Sequence, residues 1–78
     1  MTHRGNGSAM FNEYDAVWLK KALPGRAVPV GCEGTIVMVH NAVEQAYAVE
    51  FFDQNHKTID VFTVVGDEYL ELKWAYKE

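Results

Sequence analysis

The feature that most limits the fold is the shortness of the apolar runs. Each apolar run ends at a segment of polar residues or at a segment that contains glycine or proline. None of the runs approaches the roughly 18 residues that a membrane span requires. The clearest run is residues 47–51, where Tyr47, Val49 and Phe51 alternate with Ala48 and Glu50. A period of two places alternate side chains on opposite faces of a sheet, so the chain is predicted to form short β-strands.

The same reasoning predicts five strands, over residues 13–21, 35–40, 47–51, 58–65 and 71–78, the last of them a short strand or an extended tail. Four consecutive apolar residues in the second run do not alternate. That strand is therefore either buried on both faces or bent at a bulge. A helix over 41–52 is an alternative, because Ala and Glu favour helices, but the alternation at 47–51 favours a strand.

The connections between these strands also follow from residue type. Residues 22–34 contain two prolines and three glycines, which predicts a long ordered loop. Gly31 and Gly34 are interpreted as positions that need a positive φ or a close backbone approach. Residues 53–57 form a polar turn, and residues 66–70 are predicted to make a single 3-10 turn before the last strand.

These elements predict an all-β fold, a small five-stranded antiparallel SH3-like barrel. Closure or near-closure limits the exposed edges of so small a sheet. With 78 residues the chain is one domain. Residues 1–9 are small, polar and rich in glycine, so they are predicted to be a disordered leader, with the barrel over residues 10–78.

Composition argues against several classes of function. The net charge is −4, and the segments that correspond to basic strands in nucleic-acid-binding barrels carry Glu44, Glu50, Asp53 and Asp60. Such a surface repels phosphates, so nucleic-acid binding remains only an alternative to protein binding. No signal peptide or membrane span is evident in the sequence, and we predict a cytoplasmic protein.

The residues that could carry chemistry are few and scattered. Cys32 is the single cysteine and lies beside Glu33, whose charge would raise the thiol pKa and weaken it as a nucleophile. His40 and His56 fall at predicted turns without paired ligand spacing. Asp15 and Asp60 lie in predicted strands and could point inward, but alternation favours solvent. We predict no enzymatic activity, no catalytic residue, no cofactor, no metal site and no small-molecule ligand.

A set of residues spread along the chain forms a recognisable pattern: Tyr14, Asp15, Val17, Leu19, Leu23, Pro24, Gly34, Thr35, Val37, Val39, Tyr47, Val49, Glu50, Phe51, Asp53, Thr58 and Leu70. This pattern resembles a small bacterial family, domain of unknown function 4926. The resemblance covers residues 10–72 and implies an SH3-like barrel with no established activity. Two departures are the missing glycine in the 53–57 turn and a valine where the family more often has leucine after Thr63.

The aromatic residues suggest where a function could lie. A domain of this size cannot bury all ten aromatic side chains, and exposed aromatic patches mark interfaces. The candidate interface is Phe11, Trp18, Trp74 and Tyr76, unless the two tryptophans instead cover the open end of the barrel. We therefore predict an acidic protein-interaction module that associates with itself or binds a protein partner, as an antitoxin-like protein or an accessory subunit does.

Overall fold

The architecture is a single antiparallel sheet. The computed structural model describes residues 10–66 and 68–76, which contain strands and no helix. Their β-branched and aromatic residues are those that fit a pleated, half-buried surface, so the all-β prediction is confirmed. The strands are β1 (Ala16–Leu19), β2 (Glu33–Asn41), β3 (Ala46–Phe52), β4 (Thr58–Val65) and β5 (Leu70–Trp74).

The strand order is β4-β3-β2-β1-β5, so the first strand lies between β2 and the last strand. The two edges, β4 and β5, do not pair with each other among the described residues. The sheet is therefore open in its hydrogen bonding, and the predicted closure into a barrel is not seen.

The core lies against one face of this sheet, which we call the inner face. Its centre is made of side chains from all five strands, and the long loop over residues 20–32 adds Val28 and the partly buried Leu23. Arg26 of this loop lies over the ring of Phe62, 4.0 Å from its centroid, and pairs with Asp60 at 3.5 Å. The fully buried side chains are Val17, Leu19, Ile36, Tyr47, Val49, Phe51, Val64 and Leu70.

The first strand is shorter than predicted at both ends, and Asp15 is the cause of its later start. Its backbone N–H donates to the Asn12 carbonyl at 3.1 Å, and its side-chain Oδ2 accepts from the Asn12 N–H at 2.9 Å. This turn places Tyr14 at a φ of 72° and buries the Asp15 carboxyl, which is only 3% exposed. The expectation that Asp15 faces solvent is wrong, because side-chain bonding to the backbone overrides alternation.

The second and third strands settle two alternatives. The register of β2 against β3 shifts between Ile36 and Met38 and again between Val39 and Asn41, so the non-alternating run bends at bulges. β3 is a strand and the alternative helix over 41–52 is not formed. In the predicted 3-10 segment, Glu68 and Tyr69 form a turn, while Asp67 lies outside the described residues. The predicted leader over residues 1–9 also lies outside them.

The two glycines at the start of β2 meet different requirements. Gly31 has a φ of 92°, a backbone conformation that favours glycine. Gly34 is extended, and a Cβ built there would lie 2.8 Å from Cγ1 of Val49. Gly31 thus allows the backbone to turn, and Gly34 leaves space for the core side chain of Val49.

Candidate functional site

An aromatic and acidic row crosses the outer face of the sheet, opposite the core. Trp18 of β1 is directly opposite Glu33 of β2, and Glu33 is directly opposite Phe52 of β3. Residues opposite each other in antiparallel strands share a face, with Cβ atoms roughly 5 Å apart. The register thus sets a carboxylate between two aromatic side chains.

This row forms the floor of an open groove with a volume of about 450 Å³. One wall is the end of the long loop, from Pro29 to Cys32, and the other is the turn over 53–56 together with Ile59. Val30 and Ile59 expose apolar surface at the rim. The lining residues include two carboxylates, Glu33 and Asp53, and neither lysine nor arginine.

A cation of the chain itself already lies at one end of the row. The Lys73 ammonium is 3.0 Å from Oε1 of Glu33 and 4.7 Å from the centroid of the Trp18 ring. Both side chains of this ion pair are about one third exposed, so solvent screens the interaction. The combination of an aromatic face and a carboxylate is the environment that attracts ammonium and guanidinium groups.

The turn beside the groove is held by Asp53. Its Oδ1 accepts the backbone N–H groups of Asn55 at 2.8 Å and Lys57 at 3.0 Å. The Asp53 N–H donates to the Lys57 carbonyl at 2.8 Å, and His56 takes a φ of 63°. The carboxylate therefore fixes this wall, as aspartate commonly does in turns.

Cys32 lies at the edge of the groove, with its side chain largely buried. Its Sγ–H donates to the Phe52 carbonyl at 2.9 Å. Burial is the largest factor and raises the pKa of the Cys32 thiol, and the carboxylates of Asp53 and Glu33 add smaller increases. The thiol is therefore protonated at neutral pH and is a weak nucleophile.

We expect the folded protein to react slowly with iodoacetamide at neutral pH, because only the thiolate attacks. Alkylation, followed by mass spectrometry, should rise with pH along a curve shifted above that of the same protein in urea. A folded chain that reacts as fast as the unfolded one at pH 7 would contradict the assigned environment of Cys32.

The four residues predicted as an interface are not one surface. Phe11 is buried, 4% exposed, with its ring packed edge-on against Tyr47, so it is not one of the exposed aromatic residues. Trp18 lines the groove. Trp74 of β5 is opposite Ala16 of β1. Tyr76 packs edge-on against Tyr14, and the Tyr76 N–H donates to Oδ1 of Asp15 at 3.0 Å. Of the four predicted interface residues, only Trp18, Trp74 and Tyr76 have exposed side chains.

Glu33 and Phe52 are members of the groove that sequence reasoning missed. Glu33 was assigned to a loop, and Phe52 lay just beyond the predicted third strand. The flanking glycines hid the start of β2, and only the pairing of β2 with both neighbours places these side chains beside Trp18.

Two searches of the described residues bear on other functions. No cluster of three or more His, Cys, Asp or Glu side chains arranged to hold a metal ion occurs among them. Over the same residues, no helix has the length and apolar character needed to cross a membrane.

Comparison with known proteins gives a match to a family. Residues 13–70 match the model of a family described as Domain of unknown function (DUF4926). No curated protein and no solved structure shows significant similarity to the chain. The match spans β1 to β4 and reaches the first residue of β5.

Proposed function

The chain belongs to the DUF4926 family, whose description assigns no activity, and from its own surface we propose that it is a protein-interaction module that binds a basic segment of a partner. The observation that carries this proposal is the groove over Trp18, Glu33 and Phe52, in which two aromatic side chains flank a carboxylate.

The chemistry of the groove defines the partner. Glu33 and Asp53 attract a positive charge, while Trp18 offers the aromatic face on which a guanidinium or ammonium group stacks. The exposed side chains of Val30 and Ile59 at the rim suit apolar neighbours of that basic residue. A partner segment with an arginine between apolar residues satisfies both requirements.

Lys73 supports this assignment as an internal example of the expected contact. Its ammonium reaches both Glu33 and Trp18, so two residues of the groove already contact a cation within the folded chain. A partner arginine would compete with Lys73 for Glu33. It would gain from its planar shape, because guanidinium stacks on aromatic rings and bonds carboxylates at two points.

Within this proposal the module is a non-enzymatic cytoplasmic protein, and a neutralising partner of a basic protein or an accessory subunit are two forms it can take. Its sheet is proposed to have the SH3-like arrangement, supported by five antiparallel strands that cover one core. Phosphate backbones do not suit the groove, because Glu33 and Asp53 would repel them.

The proposal predicts selective binding of a basic peptide. In NMR titrations at low salt, acetyl-Leu-Arg-Leu-amide should shift the Trp18 indole and the Glu33 amide, and acetyl-Leu-Gln-Leu-amide should not. Glu33→Gln should weaken the arginine peptide about fivefold, on the order of 1 kcal/mol for one exposed charge pair. Lys73→Ala should strengthen binding, because it removes the internal competitor.

Two control variants distinguish a direct contact with Glu33 from the effect of the protein's net charge on peptide binding. Glu44→Gln removes a carboxylate from the turn between β2 and β3, and Lys20→Ala removes an exposed lysine outside the groove; both should bind as the unmodified chain does. Equal affinity for the two peptides, or equal losses in Glu33→Gln and Glu44→Gln, would refute the groove as the binding site.

A further inference from the structure

The free edge of β4 presents a row of backbone groups that no other strand pairs with among the described residues. From Asp60 to Val65 the strand follows β3 without a register shift, and the Gly66 N–H continues the ladder to the Gln45 carbonyl at 2.8 Å. Backbone groups alternate along a strand, so those of Val61, Thr63 and Val65 point away from β3. Oδ1 of Asp60 accepts the Val61 N–H at 2.8 Å, which agrees with this direction.

The two edges of the sheet differ in their protection. On β5, Glu71 and Lys73 place charges on the edge, and the pairing with β1 contains a register shift. These are the features by which proteins prevent strands from adding to an edge. Residues 61–65 of β4 have neither charge nor proline nor shift, and Val61 and Val65 are 51% and 59% exposed.

We propose that two copies of the chain associate through residues 61–65 of β4, paired antiparallel about a twofold axis at Thr63. This register sets Thr63 opposite Thr63 and each Val61 opposite Val65. All three pairs use backbone groups that point away from β3. The Thr63 pair exchanges two N–H···O bonds directly, and each Val61–Val65 pair does so once the Val61 N–H leaves Oδ1 of Asp60.

The distribution of charge favours this edge as the contact between two copies of the chain. Each chain carries a net charge of −4, so two copies repel one another over most of their surface. The segment 61–65 is uncharged, and the Thr63-centred register sets Asp60 opposite Gly66 rather than opposite another carboxylate. The proposed pairing therefore sets no two like charges directly opposite each other over residues 60–66.

The pairing is independent of the basic partner, because the groove reaches β4 only at Ile59. Two outer faces joined at β4 would lie on the same side of one continuous sheet. A dimer would consequently carry two grooves on one surface.

The test is the molecular mass in solution as a function of concentration. Light scattering coupled to size exclusion should show a dimer at high concentration, and Thr63→Lys should raise its dissociation constant at least tenfold by opposing two ammonium groups at the axis. Val43→Lys adds the same charge at an exposed turn and should leave the dimer unchanged.

Amide hydrogen exchange identifies the surface. The Thr63 and Val65 amides should exchange more slowly as concentration rises, and this dependence should vanish in Thr63→Lys. Val65→Lys provides a second disruption if the first variant fails to fold. A chain that stays monomeric at millimolar concentration, or a dimer that both lysine variants leave intact, would overturn the proposal.

Discussion

Replacement of Gly34 by valine should remove a large part of the stability of the domain. Atoms of Val49, Phe51 and Glu50 lie 2.8, 3.1 and 3.2 Å from the position that a Cβ would occupy, so the added side chain meets two buried residues and a backbone oxygen. Overpacking of this kind costs about 1–3 kcal/mol even for smaller insertions. We expect at least about 3 kcal/mol by urea denaturation, out of roughly 4–12 kcal/mol for a chain of this length.

A double-mutant cycle assigns the cost to the contact. Gly34→Ala should be less destabilising in a Val49→Ala background, because the truncation removes the Cγ1 atom at 2.8 Å. A coupling above about 0.5 kcal/mol is expected for residues in contact. Gly25→Ala is the control: that glycine has a positive φ and no atom within 4 Å, so its cost should not depend on Val49. Additive effects of Gly34→Ala and Val49→Ala would contradict the close approach.

Asp15→Ala should be the second severe change. The buried carboxylate accepts the N–H groups of Asn12 at 2.9 Å and Tyr76 at 3.0 Å, and so joins the start of the described chain to the segment after β5. Loss of this acceptor removes two hydrogen bonds to a charged group, and such bonds contribute about 1.5–3 kcal/mol each. We expect a total loss of about 2–5 kcal/mol in the free energy of unfolding.

Asp60→Ala is the matched control, because its carboxylate is half exposed and pairs with Arg26 at 3.5 Å. Exposed ion pairs contribute about 0–1 kcal/mol. Hydrogen exchange should show the Tyr76 amide losing protection in Asp15→Ala but not in Asp60→Ala. Unchanged exchange at Tyr76 would mean that the carboxylate does not hold this segment.

Local pattern was sufficient where a strand is bounded by clear turns. β4 has the predicted limits because its β-branched and aromatic residues lie between a polar turn and a glycine. β1 was predicted too long, since the side chain of Asp15 forms a turn that periodicity cannot show. The bulges in β2 remained one of two alternatives, because a continuous apolar run does not reveal its faces.

The candidate site was only partly predictable for a related reason. Trp18 was identified as a surface aromatic residue, but its relation to Glu33 and Phe52 depends on the register of three strands. Phe11 was placed on the surface from its position near the chain end, whereas it packs edge-on against Tyr47 and is buried. Pairing between distant segments is not encoded in the local alternation of either segment.

The position of β1 between β2 and β5 also fixes an order of events during synthesis. The meander β2-β3-β4 pairs neighbours in sequence and can form early, because short loops close at low entropic cost. β1 leaves the ribosome first, yet its second neighbour is the last strand to emerge. Until β5 emerges, one edge of β1 has unpaired backbone groups, and strands of other nascent chains can pair with them. The time for which this edge of β1 is unpaired is shortest when translation continues to β5 without a pause.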